Sequence, residues 1–434
     1  MEAVILAGGK GSRLGKLTKN IPKPLIKIGN KPLIEHQINL LKQNGIKNIW
    51  ILSGYFGDKI KDFAGDGNKW GVKINHVIEQ KPLGTAGALK QLGGLIKKDF
   101  LVFSGDVMLD MDLKSFIKFH KSKGQKIATI VVHPNDHPFD SDLVDVDENR
   151  RVISFLIRKT KTQPENIFFR NLANAGVFIL SQKIFIYINK NEFSDLEKDI
   201  LLKILPRKEK IYAYNTPEYI KDIGTIKRLS KVRHDYSNGR IARLNLINKR
   251  KAIFLDRDGV INEEVEQLKR LSSFNMYPFS VEAIKKINKS DYLAIIITNQ
   301  PMIAKGFMSE SDLGLIHKKL ETELGKKGAI INGIYYCPHH PEVGFRGEIK
   351  SLKINCTCRK PKTGLIRKAV RDFHIDLKKS FFIGDSTVDA KCAKNANIRF
   401  IGVGTGYGLN DKRYNFSNLN KVKNLLNAVN YILD

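Results

Sequence analysis

The chain alternates short apolar runs with segments of helical periodicity over its first 230 residues. Apolar runs at residues 3–6, 49–52 and 100–103 predict buried strands, and the apolar spacing over residues 32–44 predicts a helix. Strands that alternate with helices are typical of α/β proteins. We therefore predict an α/β domain with a mostly parallel sheet in this half of the chain.

The pattern breaks over residues 233–249, where polar residues rich in Arg and Asn replace the apolar runs. We place a linker there, between domains at 1–232 and 250–434. A second α/β alternation then begins at residue 252, with further strands expected at 293–297, 381–383 and 400–403. At the far end, the spacing of Leu419, Val422, Leu425, Leu426 and Val429 predicts an amphipathic helix. We find no internal repeat, so the two halves are different domains.

Length and composition fit this division. The 434 residues are enough for two domains of roughly 200 residues each, and 42 % of them are hydrophobic, which is enough for two cores. No run approaches the ~20 apolar residues of a membrane span. The first strand also leads into a glycine-rich loop instead of a cleavage site. We expect a cytoplasmic protein that does not contact a membrane.

The formal net charge of +30 raises the question of an anionic partner. The lysines are spread along the whole chain, without an arginine-rich run, aromatic-basic interleaving or a nucleic-acid-binding motif. We therefore expect no nucleic-acid partner. The sequence leaves open whether copies of the chain form a homo-oligomer.

A glycine-rich loop follows the first strand, and a proline-lysine motif follows the loop. The loop reads Leu6-Ala7-Gly8-Gly9-Lys10-Gly11-Ser12-Arg13, and the second motif reads Pro22-Lys23-Pro24-Leu25. Backbone N–H groups in such a loop can approach phosphate oxygens, and Arg13 and Lys23 would neutralise their charge. The loop alone would also suit a plain tight turn, but the two motifs together favour a phosphate site.

Further motifs extend this pattern in a fixed order, and with them residues 1–230 resemble the sugar-1-phosphate nucleotidyltransferases. The motifs are Glu79, Leu83-Gly84-Thr85-Ala86-Gly87, Ser104-Gly105-Asp106, Asn174-Ala175-Gly176 and Lys221-Asp222-Ile223-Gly224. The resemblance implies a Rossmann-like domain in which Asp106 and Asp222 hold Mg²⁺. It also implies that the glycine loop, Asn174 and Gly176 bind substrate. Glu79 and Gly84 would lie near the base, where a carboxylate could accept hydrogen bonds from guanine.

In the second half, Asp256 and Asp258 follow an apolar strand and project to the same side of it. One such carboxylate can act as a nucleophile while the other donates a proton. Lone Asp-x-Asp pairs are common, but Thr298, Lys360 and Asp385 follow at suitable points in the chain.

With these residues, the region 250–410 resembles the haloacid-dehalogenase-like phosphatases. The resemblance implies that Asp256 forms an aspartyl-phosphate and that Asp258 is the general acid/base. Thr298 and Lys360 would contact phosphoryl oxygens, and Asp256, Asp258 and Asp385 would form the Mg²⁺ site. For Asp389, an indirect role in the site and a solvated helix carboxylate both stay open. The short spacing between Asp256 and Thr298 leaves no room for a large cap domain.

Three of the four cysteines cluster with a histidine. Cys337, His339, Cys356 and Cys358 match a Cys₃His zinc site, and a site closed by four protein ligands is structural. Zinc would order a polar loop and place Arg359 and Lys360 for gripping a phosphate. The alternatives are two unrelated pairs of reduced cysteines, and His340 in place of His339, although family resemblance favours His339. We expect Cys392, the remaining cysteine, to lie in a helix.

The zinc loop, Cys358-Arg359-Lys360-Pro361 and Ile303-Ala304-Lys305-Gly306 resemble the D-glycero-D-manno-heptose 1,7-bisphosphate phosphatases. A departure at Pro301-Met302 puts the detailed substrate contacts in question. Such a phosphatase would produce the substrate class of the first domain, a heptose 1-phosphate. Resemblance to the heptose 1-phosphate guanylyltransferases then implies that phosphosugars and GTP are the substrates. The alternatives are transfer to mannose 1-phosphate or another sugar 1-phosphate, and a phosphatase of the histidinol-phosphate type.

Overall fold

The computed structural model describes residues 1–157, 167–207, 209–265 and 268–434. Its contacts divide the chain into two compact units. The first unit comprises Met1–His133, Asp142–Ile157 and Leu172–Ile247, and the second comprises Pro134–Ser141, Asn248–Asp434 and, of the described residues, 167–171. Two short segments of the amino-terminal half therefore belong to the second unit. Across the described residues, every helix is too short or too polar to span a bilayer.

The first unit is built on a mixed sheet. Its strands, with those of two small pairs, are β1 (Ala3–Ala7), β2 (Lys27–Ile28), β3 (Lys31–Pro32), β4 (Asn48–Ser53), β5 (Lys73–Ile78), β6 (Phe100–Ser104), β7 (Val107–Asp110), β8 (Ala128–His133), β9 (Leu143–Val146), β10 (Val152–Leu156), β11 (Ala173–Leu180), β12 (Ile211–Asn215) and β13 (Tyr219–Asp222). The main sheet runs β10-β9-β11-β6-β1-β4-β5, with β8 between β11 and β12.

Only part of this sheet is parallel. Strands β6, β1, β4 and β5 run parallel, and the inner strands β6, β1 and β4 are strongly apolar because both of their faces are covered. Strand β11 runs antiparallel to β6 and β8, and β9 and β10 form an antiparallel pair. The expectation of a mostly parallel sheet is therefore wrong for the part of the sheet that contains β8, β9, β10 and β11. The α/β class itself is confirmed.

The helices of the first unit are α1 (Leu33–Gln43), α2 (Gly57–Ala64), α3 (Gly84–Lys90), α4 (Leu113–Ser122), α5 (Leu202–Ile204), α6 (Ile226–Ser237) and α7 (Arg240–Arg243). Thr225 caps α6 by accepting a hydrogen bond from the Arg228 backbone N–H at 3.2 Å. The predicted linker 233–249 thus contains the end of α6 and all of α7. The first compact unit extends to Ile247.

The second unit has a parallel sheet with helices packed against it. Its strands are β14 (Lys251–Leu255), β15 (Tyr292–Asn299), β16 (Gly333–Cys337), β17 (Phe381–Gly384), β18 (Arg399–Val403) and β19 (Lys421–Val422), in the order β16-β15-β14-β17-β18-β19. Its helices are α8 (Ser280–Lys289), α9 (Glu310–Lys326), α10 (Gly364–Phe373), α11 (Thr387–Ala396) and α12 (Leu425–Leu433). Because β14, β15 and β17 are neighbours, the side chains that follow them meet at one edge of the sheet.

Two expectations about helices have different outcomes. Cys392 lies in α11 and is buried, as expected. The terminal helix begins at Leu425 and not near Leu419, because Val422 belongs to β19. The Asn424 side chain then accepts a hydrogen bond from the Asn427 backbone N–H at 3.1 Å and caps the helix.

Candidate functional site

A cavity of about 740 Å³ opens at the carboxyl ends of β1, β4 and β6 in the first unit. Its lining includes Leu6, Ala7, Gly8, Gly9, Gly11, Arg13, Lys23, Glu79, Gly84 and Asp106 from the predicted set. These residues come from widely separated parts of the sequence. The strand order brings them together, because neighbouring parallel strands end at the same edge.

Lys23 and Asp106 form an ion pair inside this cavity. The Lys23 side chain is almost fully buried, so its positive charge is held in a region with little competing water. Strand β13 pairs antiparallel with β7, which places Asp222 opposite Val107, directly after Asp106. The Ile223 backbone N–H also donates to the Asp106 carbonyl oxygen at 2.9 Å. The two aspartates predicted to hold a metal are therefore neighbours across a strand pair.

Asp222 lies outside the lining of the cavity, and its carboxylate is already engaged. Arg228 Nη1 donates to both Asp222 oxygens at 3.1 and 3.0 Å, and the Gly224 N–H donates at 2.8 Å. Burial alone would raise the pKa of Asp222, but the Arg228 charge and these hydrogen bonds lower it overall. Asp222 is thus ionised and held beside the cavity.

Glu79 lies against the glycine loop. A Cβ atom on Gly8 would stand 2.8 Å from Glu79 Oε2, so a larger residue there would force the Glu79 side chain to shift. Burial raises the pKa of Glu79, and a hydrogen bond from the Leu83 backbone partly offsets that effect. A carboxylate in this position has acceptor capacity directed toward a ligand in the cavity.

Asn174 and Gly176 lie on β11 and do not line the cavity. The Gly176 N–H donates to Asn174 Oδ1 at 3.1 Å. Gly176 packs closely against Ser104, because a Cβ on Gly176 would stand 2.7 Å from Ser104 Oγ. Ser104 itself lines the cavity. The structure therefore places this predicted pair behind the cavity wall.

In the second unit, a lysine lies among three aspartates at the edge formed by β14, β15 and β17. Lys360 Nζ lies 2.6 Å from Asp256 Oδ2 and 2.7 Å from Asp389 Oδ1. Ligand oxygens of Asp256, Asp385 and Asp389 all lie within 4.8 Å of one another. Three carboxylates so close together repel one another unless a cation balances them, so the cluster suits a hard divalent ion beside Lys360.

Burial and mutual repulsion shape the charges of this cluster. Burial is the largest cause that raises the pKa of Asp256 to about 7 and of Asp385 to about 9, and Asp389 adds to both effects. Burial alone would lower the pKa of Lys360, but Asp256 and Asp389 raise it overall. Lys360 is therefore firmly protonated. A bound divalent cation would favour the ionised carboxylates.

Asp389 is fully buried, so the interpretation of this residue as a solvated helix carboxylate is wrong. Its Oδ2 atom accepts hydrogen bonds from the Ser386 N–H and Oγ, which cap α11. Its other oxygen contacts Lys360. The start of α11 therefore delivers a carboxylate to the site. The sequence signal for this was a Ser-x-x-Asp capping pattern directly after Asp385.

Asp385 accepts a hydrogen bond from the Tyr407 N–H at 2.8 Å. Gly406 has a positive φ of 59°, and a Cβ atom there would stand 2.0 Å from Asp385 Oδ2. Only glycine can lie this close to the carboxylate. The glycine-containing loop at residues 404–408 therefore packs against a predicted metal ligand.

Asp258 stands apart from the three clustered aspartates. Its Oδ2 accepts a hydrogen bond from Gln300 Nε2 at 2.8 Å, and Asn262 Nδ2 donates to its Oδ1 at 2.8 Å. Gln300 Nε2 also donates to Thr298 Oγ1 at 2.9 Å. These bonds hold the Asp258 side chain outside the cluster, although we expected it in the metal set. They link it instead to Thr298.

The sequence reasoning did not assign a role to Asn299. Its Oδ1 accepts from the Lys360 backbone N–H at 2.9 Å, and its Nδ2 donates to the Lys360 carbonyl at 3.1 Å. This two-bond contact fixes the Lys360 backbone to the end of β15. The motif Thr298-Asn299-Gln300 contained the residue, but spacing alone could not show what its amide binds.

The four predicted zinc ligands meet in space. Cys337, Cys356 and Cys358 have Sγ–Sγ distances of 3.2 to 3.5 Å, and His339 Nδ1 lies 3.2 Å from Cys358 Sγ and 3.6 Å from Cys337 Sγ. These distances are slightly shorter than the ligand separation of about 3.8 Å that tetrahedral zinc–thiolate geometry requires. All three thiols are free of disulfides. The donor set therefore fits zinc after a small expansion.

The cysteine cluster is hydrogen-bonded to Arg359, one of the two residues predicted to contact a phosphate. The Arg359 backbone N–H donates to Cys356 Sγ at 3.3 Å, and Arg359 Nη1 donates to the His339 carbonyl at 3.3 Å. Hydrogen bonding between Cys337 and Cys358 is the largest cause that lowers the pKa of Cys358, to about 5, and that raises the pKa of Cys337. A bound metal ion would favour the thiolate forms of the three cysteines.

Comparison with known proteins identifies a different family in each half. The Nucleotidyl transferase family matches residues 2–239, and the HAD-hydrolase-like family matches residues 357–422. The D-glycero-alpha-D-manno-heptose-1,7-bisphosphate 7-phosphatase of Photorhabdus laumondii is 40 % identical over 161 residues, which cover 37 % of this chain and 86 % of the relative.

Two further relatives match the amino-terminal half. The Bifunctional protein GlmU of Methanococcus vannielii is 32 % identical over 227 residues, so the match spans 52 % of this chain and about half of the relative's length. The crystal structure of HddC from Yersinia pseudotuberculosis complexed with GMP-PN is 29 % identical, with a TM-score of 0.46 over 54 % of this chain and 99 % of HddC. By these family and sequence matches, the chain belongs to the nucleotidyl transferase family through its amino-terminal half and to the HAD-like phosphatases through its carboxyl-terminal half.

Proposed function

We propose that the chain carries out two consecutive steps in the synthesis of a nucleotide-activated heptose. The second unit removes the 7-phosphate from D-glycero-α-D-manno-heptose 1,7-bisphosphate. The first unit then transfers GMP from GTP to the resulting heptose 1-phosphate and releases pyrophosphate. One observation carries the proposal: a unit that resembles the Photorhabdus laumondii phosphatase is joined to a unit of the nucleotidyl transferase family, whose motifs resemble those of enzymes that act on sugar 1-phosphates.

In the phosphatase unit, Asp256 attacks the phosphorus of the 7-phosphate and the bond from phosphorus to the sugar oxygen breaks. Asp258 donates a proton to that oxygen. Water, deprotonated by Asp258, then attacks the aspartyl-phosphate, and inorganic phosphate leaves. Lys360, 2.6 Å from Asp256, stabilises the negative charge that develops on the phosphoryl oxygens. Thr298 is the further partner for those oxygens.

The aspartate cluster would hold Mg²⁺ through Asp256 and Asp385, with Asp389 completing the acidic set. A bound Mg²⁺ ion neutralises phosphoryl charge and orients the phosphate. The zinc site would be structural. Its support is the close approach of four soft or borderline ligands, the last of which, Cys358, directly precedes Arg359.

In the transferase unit, an oxygen of the sugar 1-phosphate attacks the α-phosphorus of the nucleotide, and pyrophosphate leaves. The glycine loop presents backbone N–H groups, while Arg13 and Lys23 balance phosphate charge. Asp106 and Asp222 would hold Mg²⁺, which would supply positive charge to offset the negative charge of the triphosphate. Glu79 lines the cavity, and a carboxylate there would accept hydrogen bonds from the N–H groups of guanine, which favours GTP as the donor.

Product analysis tests both activities together. The protein is given the α-heptose 1,7-bisphosphate, Mg²⁺ and equimolar ATP, GTP, CTP and UTP, and the products are identified by mass spectrometry. We expect GDP-heptose as the dominant sugar nucleotide. Heptose 1-phosphate without a sugar nucleotide would contradict the transferase half of the proposal. Unchanged bisphosphate would contradict the phosphatase half.

Two variants assign each activity to its site. Asp256→Asn should stop phosphate release from the bisphosphate while leaving GDP-heptose formation from supplied heptose 1-phosphate intact. Asp106→Asn should have the opposite effect. If either variant abolished both reactions, the separation into two sites would be wrong.

A further inference from the structure

Arg257 lies between two predicted catalytic aspartates in sequence, yet its side chain is fully buried. Its Nε and Nη2 atoms donate to Asp258 at 2.9 to 3.1 Å in a two-pronged contact. A buried guanidinium needs partners for all its donors, because an unmatched charge away from water is costly. Asp258 accepts the hydrogen bonds of Nε and Nη2, so Nη1 needs a different hydrogen-bond partner.

The partner of Nη1 is His317, a buried residue of α9. Arg257 Nη1 lies 3.2 Å from His317 Nε2. Burial is the largest cause that holds the pKa of His317 well below its ordinary value, and the charges of Arg257 and Arg170 act in the same direction. The imidazole is therefore neutral, and its Nε2 can accept the Arg257 proton only if Nδ1 carries the ring hydrogen.

The next turn of α9 is covered by chain from the amino-terminal half. Arg170 Nε lies 2.7 Å from Glu321 Oε2, and the Phe169 N–H donates to Thr322 Oγ1 at 2.9 Å. These contacts lie within the second compact unit. Phe169 and Arg170 lie within the residues that match the nucleotidyl transferase family. A stand-alone phosphatase without that region would therefore have to cover α9 differently.

We propose that His317, acting through Arg257, is a positioning residue for Asp258. The inference rests on the proposed function, in which Asp258 transfers the proton. His317 fixes the rotation of the guanidinium, and the guanidinium fixes the carboxylate that must meet the departing sugar oxygen. The segment at residues 167–171 helps to keep this arrangement in place by closing over the same helix.

Leaving-group dependence distinguishes positioning from a general structural role. Release of a sugar hydroxyl requires a proton from Asp258, whereas release of p-nitrophenolate does not. We expect His317→Leu to slow first-turnover cleavage of heptose 1,7-bisphosphate about 10- to 100-fold, because misplacing the acid forfeits part of the roughly 10²- to 10⁴-fold that general acid catalysis contributes. The first-turnover release of p-nitrophenolate from p-nitrophenyl phosphate should change less than about threefold, well below the loss expected with the bisphosphate.

His317→Gln tests the hydrogen bond itself, because its amide oxygen can accept from Arg257. This variant should restore most of the bisphosphate rate. Equal loss with both substrates in His317→Leu, or a bisphosphate rate equal to wild type, would overturn the proposal. So would a His317→Gln variant as slow as His317→Leu. GDP-heptose formation from heptose 1-phosphate, measured in the same samples, reports on the integrity of the other unit.

Asp258→Asn separates failure of this inference from failure of the proposed function. If Asp258→Asn slows the bisphosphate reaction selectively and His317→Leu does not, only the positioning role is wrong. If Asp258→Asn leaves bisphosphate cleavage unaffected, the acid/base role assigned to Asp258 is itself wrong. In that case the proposed positioning falls with it.

Discussion

The Lys360 ammonium group lies 2.6 Å from the Asp256 carboxylate, in a site where both side chains are shielded from water. Electrostatic interactions are strong in such surroundings, and a preorganised cation needs no rearrangement as charge develops on a phosphoryl group. Asn299, at the end of β15, forms two hydrogen bonds with the Lys360 backbone. Cys358 of the cysteine cluster lies two residues before Lys360 in the sequence. The lysine is therefore positioned by two independent parts of the fold.

Replacing this lysine should disable the phosphatase alone. We expect Lys360→Met to lower kcat for bisphosphate hydrolysis by about 100-fold or more, the usual cost of losing a preorganised charge partner. GDP-heptose formation from heptose 1-phosphate should stay unchanged. Lys379→Met, at an exposed position of the same unit, is the matched control. Phosphatase activity within threefold of wild type would show that Lys360 is not an essential phosphoryl partner.

Zinc should be bound by the purified protein and be needed for a well-formed phosphatase site. We expect about one zinc per chain by elemental analysis. Cys358→Ser should lose the metal and most of the phosphatase activity, because Arg359 and Lys360 follow the ligand directly. Cys392→Ala, which alters a buried cysteine outside the cluster, should retain the metal. Wild-type protein that is fully active after complete zinc removal would contradict this prediction.

Glu79 should determine the choice of base. In Glu79→Gln, one acceptor oxygen becomes a donor that opposes the N–H groups of guanine, so the preference for GTP over ATP should fall. A loss of about tenfold in the ratio of kcat/KM values corresponds to one hydrogen bond to a charged group. The measurement is competition between the two nucleotides, with Glu148→Gln at an exposed site as the control. An unchanged ratio would remove Glu79 from the base site.

Glu218 should make the stability of the first unit depend on pH. It is buried and accepts hydrogen bonds from the backbone N–H groups of Asp112 and Leu246 and from Thr216 Oγ1. Burial is the largest cause that raises its pKa from 4.5 to about 7. Folding therefore favours the neutral form. The stability contributed by this group is intact below about pH 4.5 and is lost as the pH rises through about 7.

Glu218→Gln removes that titration. Between pH 5 and pH 8, the unfolding free energy of the wild type should fall by about 3 kcal/mol more than that of the variant. Both tryptophans, Trp50 and Trp70, belong to the first unit, so their fluorescence during denaturant unfolding reports on it. Parallel pH profiles for the two proteins would mean that Glu218 is ionised in the folded state across this range.

Local patterns determined much of this protein. Apolar runs located β1, β4, β6, β14, β15, β17 and β18, because a buried strand must be apolar wherever it is covered. The glycine loop, the aspartate pair and the spacing of the cysteines identified residues that the fold brings together. Each of these signals depends on neighbours in sequence, and such signals can be read without knowing the fold.

Only the tertiary structure decided which distant groups meet. The sequence left open whether Asp389 is a solvated helix carboxylate, and it could not show that packing buries this residue against Lys360. Similarly, the position of Asp258 next to Arg257 did not reveal that the guanidinium turns toward His317. The assignment of residues 134–141 and 167–171 to the second unit also lay beyond sequence patterns. Contacts of this kind depend on how whole helices and strands pack against one another. That packing reflects a small difference between large opposing energies summed over the entire chain.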